Sequence, residues 1–169
     1  MNPSRRLATL RRQYFLYFGI LGIYLPYFNL YCYHIGFNGA EIGSLSAVRS
    51  TVMVIFSLAW GHLADRHRIR KPIYTLCSFA AAGLWLLYFT TAEFWPMVII
   101  TVLYTAFFAP LISFLEAFTM DTLQSRKAAY GKVRVWGSVS FITVVILMGR
   151  LIDHFPIRLI LVLIFCGSL

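Results

Sequence analysis

Long apolar runs separated by short polar stretches organise this 169-residue chain. The runs at 14–33, 42–60, 73–90, 94–120 and 133–152 are each of about the length that, at about 1.5 Å per helical residue, crosses a hydrocarbon core of about 30 Å. A last run, 157–169, reaches only about 20 Å as a helix. Its terminal carboxylate would then lie in or near hydrocarbon, where a charge is costly, so the chain reads as cut off within a sixth span. His34–Ala40, with Gly36, Asn38 and Gly39 and no lysine or arginine, is expected to be a compact turn. Thr91–Glu93 and Asp153–Arg158 are the other turns on that side of the membrane. The pattern predicts an all-α integral membrane protein with five full transmembrane helices and a truncated sixth.

The remaining connections are basic. Gly61–Lys71 holds Arg66, Arg68, Arg70 and Lys71, and Asp121–Lys132 holds Arg126, Lys127 and Lys132. With Arg5, Arg6, Arg11 and Arg12 ahead of the first run, these segments contain eleven of the fifteen lysines and arginines. Short cationic segments stay on the inner side, so the N-terminus and both basic loops are expected in the cytoplasm, in an inner or plasma membrane. The first run is longer than a signal-peptide core and lacks a small-residue cleavage site, so it reads as a span.

Composition changes this picture little. Hydrophobic residues make up 60% and charged residues 12%, against about 45–50% and about 25% in soluble domains. A net charge of +9 would suggest nucleic acid in a soluble chain. Here the cations lie between apolar spans, where they set topology and meet anionic headgroups, so the lipid bilayer is the expected partner and nucleic acid is not. Cys32, Cys77 and Cys166 lie in apolar surroundings without paired or metal-ligand spacing and read as packing residues. His34, His62, His67 and His154 sit at span ends without metal spacing, so no metal or cofactor is expected. The spans also lack the nucleophile–base and paired-carboxylate arrangements that would argue for an enzyme.

Arg150 and Arg158 fall at the external ends of their runs, and three ions remain deeper inside: Arg49, Glu116 and Arg134. Charges within spans are rare and mark candidate sites. Arg49 precedes Gly61 by twelve residues, which places it about 18 Å from the cytoplasmic end, near mid-membrane. Glu116 and Arg134 are equidistant from Ser125 in the second basic loop, so a hairpin of the fourth and fifth spans brings them to similar depth. Such a pair satisfies both charges when empty and can open to hydrogen-bond a polar ligand bidentately. Protonating Glu116 would free Arg134 and remove one charge before the site moves across the membrane. The alternatives are a fixed ion pair pinning two helices, or an Arg134 that snorkels to the interface.

Two groups of residues carry a resemblance to a known family. Gly61-His-Leu-Ala-Asp-Arg66, followed by Arg70-Lys71, resembles the signature loop of the major facilitator superfamily of secondary transporters. Tyr130-Gly-Lys-Val-Arg-Val-Trp-Gly-Ser138, the Glu116–Arg134 spacing, Ala109-Pro110 and Gly22-Ile-Tyr-Leu-Pro-Tyr27 resemble the oligosaccharide/proton symporter branch and its nucleoside/proton symporter-like and phenylpropionate-permease-like relatives. The resemblance implies that Glu116 and Arg134 take part in solute binding and proton coupling. Arg49, Trp136 and Phe141 are further candidates, and Phe141 stands where lactose permease, a member of that branch, stacks a tryptophan on its sugar. Gly61, Asp65, Arg66, Arg70 and Lys71 are the implied gating loop, with Arg68 in place of the usual glycine. Asp65 is expected to cap or face a helix end, a contact worth typically 0.3–1 kcal/mol. Its other reading is a surface ion pair with Arg66 or Arg70, worth about 0–1 kcal/mol.

Full-length members have two six-helix halves with the substrate site between them at mid-membrane. The chain is expected to supply the N-terminal half, with the missing C-terminal half, protons and a small solute such as a sugar, nucleoside or aromatic acid as partners. The competing reading is a non-transporting truncated membrane protein or interaction module.

Overall fold

A computed structural model describes residues 3–123 and 129–168. Its elements are all helical: α1 (Pro3–His34), α2 (Gly39–His67), α3 (Arg70–Trp85) with a 3-10 extension Leu86–Phe89, α4 (Phe94–Phe108), α5 (Pro110–Leu123), α6 (Tyr130–Ile152) and α7 (Leu159–Ser168). Five helical stretches are long and apolar enough to cross a membrane: Leu7–His34, Gly39–His67, Arg70–Phe89, Phe94–Leu123 and Tyr130–Ile152. α7 is a shorter apolar helix.

The spans fall in the expected order, but most helices begin earlier or end later than the apolar runs. α1 continues outward through Arg11 and Arg12, because Leu, Ala and Arg are good helix formers whether or not lipid surrounds them. α2 starts at a capping box: the Asn38 side chain accepts from the Glu41 amide at 2.9 Å and the Glu41 carboxylate accepts from the Asn38 amide at 2.9 Å. At its other end α2 runs through most of the stretch expected to be a basic loop. The connection from α2 to α3 is only Arg68 and Ile69. Arg68 adopts a left-handed conformation, φ 55° and ψ 33°, and its amide donates to the carbonyls of Ala64 and Asp65. Of the expected loop Asp121–Lys132, α5 occupies the start and α6 the end, while Ser125, Arg126 and Lys127 lie outside the described residues.

The single helix expected over 94–120 is interrupted at Ala109–Pro110. Proline has no amide hydrogen and its ring clashes with the carbonyl four residues back, so the helix cannot pass regularly. The carbonyl left without its donor is that of Ala106, and the Trp60 indole nitrogen of α2 donates to it at 2.9 Å.

The chain divides into two compact units, one formed by residues up to Phe28 with Leu115–Gly167, the other by Asn29–Phe114 with the last residues. In the first, α1 and α6 approach closely through small residues. A Cβ on Gly137 would lie 2.6 Å from the Phe18 ring, one on Gly19 2.9 Å from Ser140 Oγ, and one on Gly22 3.1 Å from the Phe141 carbonyl. Such contacts let hydrogen bonds form between helices in lipid: buried Ser140 donates to the Phe15 carbonyl at 2.6 Å, and the Tyr27 hydroxyl to that of Val145 at 2.7 Å. In the second unit α4 packs against α2 and α3. Its core is aromatic, with the Trp85 ring 4.7 Å from Tyr88 and 4.9 Å from Tyr104, and the Tyr88 hydroxyl bonded to Thr101 at 2.9 Å.

Candidate functional site

The first unit brings Glu116 of α5 and Arg134 of α6 together, and a third residue joins them. Tyr130 and Arg134 are four residues apart, hence neighbours on one helix face. The Tyr130 hydroxyl donates to Glu116 Oε1 at 3.1 Å and accepts from Arg134 Nη1 at 3.2 Å. The direct approach of Arg134 Nη1 to Glu116 Oε1 is 3.5 Å, with the two side chains 51% and 38% accessible. The guanidinium also lies 5.9 Å from the centroid of the Tyr130 ring. One oxygen and one nitrogen thus carry the charged contact, which is not a bidentate fork. The arrangement offers a carboxylate acceptor, guanidinium donors and a hydroxyl that can do either, a set suited to a hydroxylated or anionic organic molecule. Behind it, the buried Tyr14 hydroxyl lies among Thr119, Tyr130 and Glu116.

The other expected residues are distributed differently. Phe141 follows Arg134 by seven residues, which returns it to the same face of α6 about 10 Å further along the axis, and its backbone packs against Gly22. Trp136 is turned away. Two residues after Arg134, it is rotated by about 200° and lines a groove with Ala8, Arg11, Arg12, Phe15 and Leu16. Trp136, a further candidate from the sequence, therefore does not share the face of α6 that carries Arg134. Arg49 belongs to the second unit, near Cys32.

In the expected gating loop, Arg70 Nε donates to Asp65 Oδ1 at 2.7 Å, and both side chains are well exposed at 41% and 60%. Asp65 stands in the last turns of α2, and no side chain caps the N-terminus of α3. The cap expected of Asp65 is therefore replaced by an ion pair that fastens α2 to α3 across the left-handed Arg68. Arg66 and Lys71 are exposed, and a Cβ on Gly61 would meet nothing within 4 Å. Among the described residues no three His, Cys, Asp or Glu side chains gather as a metal site.

Tyr130, the first residue of the Tyr130–Ser138 motif, is the functional side chain not among the candidates from sequence. Its spacing of four from Arg134 was the available signal. In the second unit the Ser57–Ser113 contact at 3.1 Å and the weak Ser46–Asn29 contact at 3.5 Å join residues distant in sequence, and neither pairing had any local sign.

Membrane-length apolar helices, the closely packed α1 and α6 and the ion pair between α5 and α6 define a multi-pass integral membrane protein. The chain belongs to the MFS_1 like family, which it matches over residues 7–169. It is 29% identical over 173 residues to the probable 3-phenylpropionic acid transporter of Escherichia coli strain K12, covering 99% of this chain and 43% of that protein. It is 27% identical over 150 residues to the maltose permease of Geobacillus stearothermophilus, covering 87% of this chain and 38% of the permease. Its fold matches a crystal structure of the nucleoside transporter NupG with a TM-score of 0.87 at 19% identity, over 96% of this chain and 42% of that one. The chain thus spans less than half the length of the relatives it matches.

Proposed function

We propose that this chain corresponds to the first half of a secondary active transporter and contributes one wall of its solute site. The observation that carries this reading is the half-accessible cluster of Glu116, Tyr130 and Arg134. Ions within an apolar bundle are costly, and this pair is too open to hold helices together strongly. Held through one oxygen and a bridging hydroxyl, the pair can exchange its internal contact for a ligand's carboxylate or hydroxyl groups. Phe141, on the same helix face, supplies an apolar surface for the ligand's carbon skeleton.

The solute is a small organic molecule of the sugar, nucleoside or aromatic-acid kind, by analogy with the named relatives. A proton on Glu116 would release Arg134 to the solute and lower the charge carried across the membrane, which is the basis for symport. A second six-helix half closes the site from the other side. The cation distribution supports a cytoplasmic N-terminus in an inner or plasma membrane. The test is uptake of labelled phenylpropionate, maltose and nucleosides into vesicles bearing the full-length transporter that contains this sequence. Glu116→Gln is expected to abolish uptake driven by a proton gradient while protein level holds. Unchanged coupled uptake in that variant overturns the proton role, and full uptake by Arg134→Gln overturns the solute role.

A further inference from the structure

The groove that contains Trp136 lies on the far side of α6 from Arg134 and shares no residue with the solute cluster. It measures about 390 Å³ and is lined by Ala8, Arg11, Arg12, Phe15 and Leu16 of α1 together with Trp136. Its chemistry is layered. Phe15 and Leu16 follow Arg11 and Arg12 by four residues each, so they occupy the same side of α1, about 6 Å further along the helix. Because α1 enters its apolar span at Leu7, that step leads from the cationic level into the hydrocarbon. Phe15 and Leu16 are 40% and 51% accessible, and Trp136 is 44% accessible. None of the chain's six carboxylates lines the groove.

We propose that this groove is a binding site for an anionic phospholipid. The paired guanidiniums hold the phosphate, for which their planar forks are suited. An acyl chain lies on Phe15 and Leu16, and the Trp136 indole borders it at the depth where tryptophan favours the membrane interface. Two cations in a groove lined by no acid favour a headgroup of net negative charge over a zwitterionic one, whose ammonium would meet the same positive field. A free phosphate would gain nothing from the apolar floor.

The probe is the purified chain in phosphatidylcholine vesicles containing phosphatidylglycerol, with acyl-chain bromines on one lipid or the other. The fluorescence of Trp136 is taken as the difference between the parent chain and Trp136→Phe. Brominated phosphatidylglycerol should quench that component more than an equal fraction of brominated phosphatidylcholine, and the excess should saturate as its fraction rises. Arg11→Gln combined with Arg12→Gln, both exposed positions, should remove the excess. Equal quenching by the two lipids overturns the proposal, as does an excess that survives the double substitution. An excess that climbs linearly without saturating indicates diffuse surface attraction and also overturns it. Suppression of the excess by inorganic phosphate would assign the groove to a soluble anion instead.

Discussion

Replacing Trp60 with phenylalanine tests how a proline is accommodated inside a membrane helix. Pro110 deprives the Ala106 carbonyl of its helical donor, and the Trp60 indole supplies a substitute at 2.9 Å. Phenylalanine would keep the ring packing against Phe107, whose centroid is 5.7 Å away, and would lose only the N–H. An unsatisfied buried carbonyl costs about 1–3 kcal/mol, whereas hydrogen bonds between membrane helices average about 0.6 kcal/mol and reach about 1.7. A part-buried bond of good length should fall near the upper membrane figure, so Trp60→Phe is expected to destabilise by about 1–2 kcal/mol. In a Pro110→Ala background the helix can supply its own amide to Ala106, and the same substitution should cost less than about 0.5 kcal/mol. The assay is reversible unfolding of the chain in mixed micelles with increasing dodecyl sulfate, for the four members of the cycle. Equal costs of Trp60→Phe in both backgrounds would refute the link between indole and proline.

Other substitutions follow the same reasoning. Arg68→Gly should stabilise the chain in the same unfolding assay by about 0.5–1 kcal/mol, because glycine adopts the left-handed turn without the Cβ penalty; a loss of stability would contradict the turn geometry. Gly137→Ala should destabilise by about 1 kcal/mol net, since the Cβ overlaps a Phe18 ring flanked by Tyr14 and Tyr17 and this outweighs the gain in helix propensity. Gly131→Ala, where a Cβ meets nothing within 4 Å, is the reference and should not destabilise. Tyr130→Phe should weaken solute affinity in the transport assay about tenfold, the equivalent of one hydrogen bond to a charged group in a partly open site; unchanged affinity would remove the hydroxyl from the site.

The number and order of the membrane-length spans were legible because the bilayer imposes a minimum apolar length. The ends were not, because helix formation does not stop where lipid stops: Asn38 caps α2 before the apolar run begins, and its basic end stays helical to His67. The Glu116–Arg134 contact was legible because ions are rare in apolar runs and a hairpin fixes their depth. Where Trp136 faces was not legible from its membership of the motif alone, because about 100° of rotation per residue decides which side a helical side chain takes. The Trp60–Ala106 bond left no local sign, since a proline announces a missing donor but not which distant side chain replaces it.

The geometry of the charged pair favours an exchangeable contact over a fixed pin. A pair that pins helices gains most when both charges are buried and joined through two parallel hydrogen bonds, because removing either partner then leaves a desolvated charge. Glu116 and Arg134 share one oxygen and one nitrogen at 3.5 Å and remain 38% and 51% accessible, so where that accessible side faces a water-filled cavity their mutual attraction is worth about 0–1 kcal/mol. That is comparable to what a single ligand hydrogen bond returns, and a solute could open the pair without unfolding its surroundings. The argument requires Glu116→Gln to leave stability within about 1 kcal/mol of the parent chain. A much larger loss in the unfolding assay would make the pair a structural fastener and leave the solute site to be sought elsewhere.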